Sequence, residues 1–270
     1  MKKVIKISIW ALLLCGFIVT LGFVNSEQKA VPCKGIDIAI DHTTENNFID
    51  ESDIKTILYD KGDSLVGHAL STLNITQMEK VIRNNPFVEN AEVYETIDGE
   101  INIEVKQRTP LLRIFNAWNE SFYIDEYGTF MPLSEKYSAN VLVVNGYIND
   151  RFKIRTLQFF TEEHIDTTYK KTIIDDLFQM AKFIEKDDLL KSLIVQVYVN
   201  EEGEIELTPR VGNHQILFGD ITDMGEKFKK LVVLYQKGLS KTGWDQYKTI
   251  NLKFKDQVVC TRRDVEAIVQ

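Results

Sequence analysis

The sequence predicts an α+β protein in three parts: an N-terminal transmembrane helix, a compact β-α-α-β-β module, and a larger mixed α/β domain rich in strands. Three observations carry that prediction. Residues 7–24 (ISIWALLLCGFIVTLGFV) hold no charge and follow a head bearing Lys2, Lys3 and Lys6. Residues 35–107 run strand, helix, helix, strand, strand and close on a hairpin with Asp98-Gly99 at its tip. The remainder switches repeatedly between period-two and 3.6-residue patterns, with turn residues at each switch. With 270 residues, 44% hydrophobic and 27% charged, the chain has an ordinary globular composition and a length that suits two modest domains plus extras.

The apolar run comes first. As a helix it reaches about 27 Å, enough for a bilayer core, and Trp10 stands near one end, where interfacial aromatics are common. The three lysines put the N-terminus in the cytoplasm. A cleaved signal peptide has the same basic head, but Val24-Asn25-Ser26-Glu27 lacks the small residues of a cleavage site. Leu14 is likewise too large before Cys15 for a lipoprotein box. Residues 1–6 are therefore expected as a cytoplasmic tail, 7–24 as the transmembrane helix and 25–34 as a linker, with everything beyond outside the cytoplasm.

From residue 30 onward there are 28 basic and 39 acidic residues, a net −11, which argues against broad binding of nucleic acid or anionic lipid. Cys33 and Cys260 stand at opposite ends of this part; one disulfide and two buried thiols are both compatible with export.

In the first domain, residues 35–107, Ile36, Ile38 and Ile40 alternate with polar or small residues as a half-buried strand. Asp50 or Ser52 caps a helix through about Tyr59, with Ile54, Ile57 and Leu58 on one face. Thr76-Gln77-Met78-Glu79 reads as a capping box for a second helix presenting Met78, Val81 and Ile82 and stopping before Pro86. Residues 92–97 and 101–106 then form a hairpin whose Asp98-Gly99 supplies the positive φ angles of a tight turn. Two helices lie against one three-stranded sheet.

That order directly after a membrane anchor resembles a POTRA module. The stretch NPFVENAEVYETIDGEINIEVKQRTPLLRI is similar to the close of that module in the FtsQ/DivIB cell-division family, in which an aromatic-V-x-x-A-x-V strand and an alternating strand run through a short connector into the next domain. Here the connector is Gln107-Arg108-Thr109-Pro110.

The second domain, residues 108–263 followed by a tail 264–270, begins with strands at 111–115, 122–125 and 141–144 and a turn at 126–128. FYIDEYGTFMPL and ANVLVVNGYI resemble the family's V-D-x-x-G-x-x-F/M-P and P-x-L-x-G segments. A helix is expected over 170–186, a strand over 194–199, a turn at Glu201-Glu202-Gly203 and a return through Ile205 and Leu207. ELTPRVGNHQILFGD resembles a further family segment. A helix over 224–238 and strands at 249–254 and 257–262, joined by a tight turn at Lys255-Asp256, complete the reading.

Chemistry is not visible. His42, His68, His164 and His214 stand in no metal-binding or triad spacing, and no nucleophile elbow, S-x-x-K or P-loop occurs. Asp175-Asp176 and Asp187-Asp188 read as polar helix positions whose adjacent carboxylates do not converge. Asn74-Ile75-Thr76 and Asn119-Glu120-Ser121 read as polar turns. No enzyme activity, cofactor or metal is expected.

Surface recognition remains. Residues 226–263 carry ten basic residues against Glu226, Asp245 and Asp256, either a solvated face with edge-strand lysines or a docking site. A strand near the chain's end has few later residues to cover it, and a bare sheet edge accepts a partner's extended segment. The family resemblance implies that the final strand and preceding helix capture an FtsB/FtsL-like coiled-coil pair by strand addition. It points to Lys253, Phe254, Asp256, Gln257, Val259 and Thr261 on the final hairpin, with Lys230 and Tyr235 on the helix. Other divisome proteins would meet the POTRA module, at 36–40 or 92–97. The expected function is a single-pass divisome scaffold at the division septum of the plasma (inner) membrane. The alternatives are a POTRA-bearing accessory factor of export or membrane assembly, or an anchored wall-modifying enzyme.

Overall fold

In a computed structural model of the chain, the described residues are 10, 12–18, 31–41, 46–59, 65–153, 157 and 171–263. The chain divides into two compact units, Met1–Gln107 and Arg108–Gln270. Of the expected membrane span, Trp10 and residues 12–18 are described; they are helical and exposed. Among the described residues no helix is long and apolar enough to cross a membrane. The rest of that span, the head before it, most of the linker and the tail 264–270 lie outside the described residues, as do His42 and His164.

The first unit contains β1 (Gly35–Asp41), α1 (Glu51–Tyr59), a single 3-10 turn (Leu70–Thr72), α2 (Ile75–Arg83), β2 (Val88–Glu95) and β3 (Glu100–Gln107). The sheet order is β1-β3-β2, with β1 parallel and β2 antiparallel to the central strand. Alternation along β3 buries Ile101, Ile103 and Val105, which meet Ile54 of α1 and Met78 and Ile82 of α2 in one core. Gln107, where β3 ends, is buried: its Oε1 accepts from the amides of Phe48 (2.9 Å) and Ile49 (3.2 Å), and its Nε2 donates to the Asn46 carbonyl (3.0 Å). One amide side chain thus ties the approach to α1 to the end of the central strand.

Two local expectations are corrected. The cap of α2 is Asn74, whose Oδ1 accepts from the Gln77 amide at 2.9 Å, so Thr76 lies inside the helix. Glu79, the expected carboxylate of a capping box, instead accepts from the Val93 amide of β2 at 3.1 Å. At the hairpin tip only Gly99 has a positive φ (91°); the Thr96 amide donates to the Glu100 carbonyl at 2.8 Å, closing a three-residue loop in place of the two-residue turn.

Among the described residues the second unit is a nine-stranded sheet with helices. Its elements are β4 (Pro110–Phe115), β5 (Ser121–Asp125), β6 (Phe130–Met131), β7 (Leu142–Gly146), α3 (Ile173–Glu185), α4 (Asp188–Leu193), β8 (Ile194–Val199), β9 (Ile205–Pro209), β10 (Gln215–Gly219), α5 (Met224–Val233), a π-helical turn (Leu234–Leu239), α6 (Ser240–Thr242), β11 (Tyr247–Asn251) and β12 (Val259–Arg262). The strand order is β12-β11-β10-β9-β8-β7-β4-β5-β6. Ile114, Val144, Val197, Leu207, Ile216 and Ile250 make a continuous buried row across this sheet, joined in the core by Leu177 and Phe178 of α3, Leu190 of α4 and Phe228 and Leu231 of α5.

Here too the structure departs from the sequence pattern. Asp175 is buried, its carboxylate accepting from the Thr172 amide at 2.7 Å; it is the helical partner of the cap residue Thr172 in a capping box that opens α3, and does not lie on a polar face. α4, only six residues long, was not anticipated; Asp187 caps it by accepting from the amides of Leu189 and Leu190. The last long helix turns π-helical after Val233. The expected strands at 249–254 and 257–262 are shorter, and Lys255-Asp256 belongs to a wide connection of seven residues between β11 and β12.

Candidate partner-docking edge

The geometry of the C-terminal edge begins with α5. Lys227 and Lys230 leave the helix one turn apart and both bend inward. The Lys227 ammonium donates to the Asp220 carbonyl (2.8 Å) and carboxylate (3.0 Å) and lies 5.1 Å from the Phe218 ring centroid. This hydrogen bond holds the Asp220 carboxyl below its ordinary pKa. The Lys230 ammonium donates to the carbonyls of Leu252 (3.2 Å), Phe254 (2.5 Å) and Lys255 (3.2 Å), all in the β11–β12 connection. Two lysines of the expected basic surface are thus bonded to backbone, and a third, Lys253, pairs with Glu204 at 2.9 Å.

The π-helical turn carries Tyr235 into the core, where it is 6% exposed. Its hydroxyl lies 2.6 Å from His214 Nε2 and 3.3 Å from the Val211 carbonyl oxygen, and its ring meets Trp244 at 5.5 Å between centroids. His214 Nδ1 faces the Trp244 carbonyl at 3.3 Å. Burial, its largest cause, lowers the His214 pKa; burial also raises that of Tyr235. The slot for the imidazole exists because residue 212 is glycine: a Cβ there, at φ 90°, would stand 2.4 Å from His214 Cε1. Arg263 donates to the Asn213 carbonyl, and its amide to the Gln246 carbonyl at 3.0 Å, which stitches the end of β12 to this slot.

β12 itself pairs antiparallel with β11 through Val259↔Asn251, Cys260↔Ile250, Thr261↔Thr249 and Arg262↔Tyr247. Its other side has no strand neighbour among the described residues. Val259 (40%) and Phe254 (45%) are large apolar side chains left in water, and Thr261 and Arg262 are exposed beside them. Cys260 points toward the core and burial raises its thiol pKa; Cys33 and Cys260 are both free thiols.

Of the eight residues singled out from sequence, the structure gathers Lys230, Lys253, Phe254, Asp256, Gln257, Val259 and Thr261 around the β11–β12 connection and the edge strand. Only Val259 and Thr261 lie on the strand; Lys253, Phe254, Asp256 and Gln257 lie in the connection. Tyr235 is a buried strut. Sequence reasoning missed the structural pairing of His214 with Tyr235 and Trp244, whose one local signal is Gly212 two residues before the histidine; Lys227, counted with the basic surface, is instead bonded to Asp220. Among the described residues no group of three or more His, Cys, Asp or Glu is placed to hold a metal ion.

Residues 109–261, more than half of the chain, match the family described as FtsQ/DivIB, C-terminal related. Residues 31–106 match a POTRA-like domain. The chain is also similar to the cell division protein DivIB of Clostridium tetani, at 25% identity over 190 residues; the match spans 69% of this chain and 66% of that relative's length. The family match at 109–261 takes in every strand of the nine-stranded sheet apart from the last residue of β12, and the POTRA-like match at 31–106 takes in the three-stranded sheet apart from the last residue of β3. The chain belongs to the FtsQ/DivIB cell-division protein family.

Proposed function

We propose that the protein is a single-pass division scaffold, anchored by residues 7–24 with residues 1–6 in the cytoplasm, that works outside the cytoplasm at the septum. Residues 35–107 serve as its POTRA module and 108–263 as the domain that binds a partner. The partner, an FtsB/FtsL-like coiled-coil protein, adds an extended segment to β12, and other division proteins meet the POTRA module. The observation that carries this reading is β12 itself, a terminal strand whose outer side faces no other strand among the described residues. A bare edge offers main-chain hydrogen bonds for affinity, and exposed alternate side chains for specificity. Exposed Val259 and Phe254 supply apolar anchors, while Lys255 and Arg262 steer an acidic segment toward them.

A fluorescent fusion of the full chain in dividing cells of the source organism tests the reading. A band at mid-cell, filaments on depletion, and loss of rescue by Val259→Glu or Phe254→Glu are the expected results. Even envelope fluorescence with normal division would overturn it.

A further inference from the structure

Three backbone carbonyls of the β11–β12 connection converge on one atom. Those of Leu252, Phe254 and Lys255 stand 3.2, 2.5 and 3.2 Å from Lys230 Nζ. An ammonium has three donors and no acceptor, so each N–H meets one oxygen and the count closes. Without a cation at that point, three carbonyl dipoles would crowd together with like ends inward. The two ends of this segment have other anchors: buried Leu252, whose N–H donates to the Leu217 carbonyl (2.9 Å), Lys253, whose N–H donates to Asn251 Oδ1 (3.0 Å) and whose ammonium pairs with Glu204 (2.9 Å), and Val258 against the core. Between them residues 254–256 form a bend, and the carbonyls of Phe254 and Lys255 in that bend turn toward Lys230. Exposed Phe254 rides on the segment, and β12 starts at its end. Lys229, on the same helix, is 74% exposed at its side chain and shows what a solvated lysine there looks like.

We propose that Lys230 is a positioning residue: its ammonium acts as a built-in monovalent cation that shapes the β11–β12 connection, and so fixes where Phe254 and the start of β12 stand, and it is not a charge offered to the partner. The inference rests on the docking role of this edge. It makes the site selective for ammonium geometry. A guanidinium is a planar fork with its donors in one plane and does not serve three converging acceptors in the same way. Truncation to alanine leaves a carbonyl-lined space the size of propylammonium, which restores the missing methylenes and the three donors.

The test is amide hydrogen exchange on the full chain, read at Leu252 and along β12, with β8 and β9 as an internal reference. Both Lys230→Ala and Lys230→Arg should raise exchange at Leu252 and β12 about tenfold or more, the scale of lost hydrogen bonds to a charged donor. Propylammonium chloride should bring Lys230→Ala back toward the wild-type rate, and tetramethylammonium chloride at equal ionic strength should not. Wild-type exchange in either variant, or equal recovery with both salts, would overturn the proposal. Failure of the docking reading is seen separately: a protein that passes this test yet spreads evenly through the envelope keeps its internal cation and loses its septal role.

Discussion

His214 sits where a proton is unwelcome. Burial lowers its pKa from 6.5, with Arg263 adding to the shift and Asp245 and the Trp244 carbonyl opposing it; the Tyr235 hydroxyl is its other neighbour. In the window between the ordinary and the lowered pKa the unfolded chain binds more protons than the folded one, so stability falls as pH drops through that window and levels off below it. Urea midpoints measured from about pH 7 to about pH 5 should therefore decline, and His214→Gln should flatten the decline. Gly146 is a second test at this scale. It pairs with Val199 at φ 112°, and a Cβ would stand 2.1 Å from the Val199 carbonyl oxygen. Gly146→Ala should cost about 2–4 kcal/mol, read as a lower denaturant midpoint at unchanged m-value. The sequence displays this glycine in its VVNG segment but not its reason, since the reason is a backbone more than fifty residues away.

Elements with a full period were legible and short or tethered ones were not. The alternating strands β3, β8 and β9 and the long α3 show enough repeats for a face to emerge, and the structure buries that face. α4 has only six residues, too few to display a helical period. The β11–β12 connection looked like a tight turn because Lys255-Asp256 is turn-like in composition; a lysine on another element decides its course. The cap of α2 shows a similar competition. Asn74 and Thr76 are both good capping residues, and the choice falls to Asn74 because Glu79 is engaged by β2. Asn74→Ala should lower stability by about 1 kcal/mol, whereas Thr76→Ala should change it by no more than a few tenths. Chemical denaturation of the two variants in parallel separates the two caps, and the reverse ranking would contradict the structure.

At the scale of the whole molecule, each unit has its own core and its own sheet. Arg108, at the start of the second, donates to the buried Asp125 carboxylate at 2.8 Å, and that carboxylate also accepts from the amides of Tyr127 (2.9 Å) and Thr129 (2.7 Å). The boundary is thus marked by a polar cluster wholly inside the second unit. A fragment spanning residues 108–263 should fold cooperatively by itself, with dispersed amide resonances; Asp125→Ala in it should cost about 3–5 kcal/mol, because Arg108 and two amides lose their acceptor together. A fragment without a cooperative transition would place essential contacts elsewhere.

The nine-stranded sheet ends differently on its two sides: β6 is two residues long, and β12 is four residues long with a register shift beside it. A sheet with two good edges can join copies without limit, as fibrils do. Under the proposed strand addition, only one side of the sheet is long enough to be extended among the described residues, so an added strand would use up the growing end. Each molecule would then take one guest at this sheet, a stoichiometry set by the shortness of β6 as much as by the chemistry of β12.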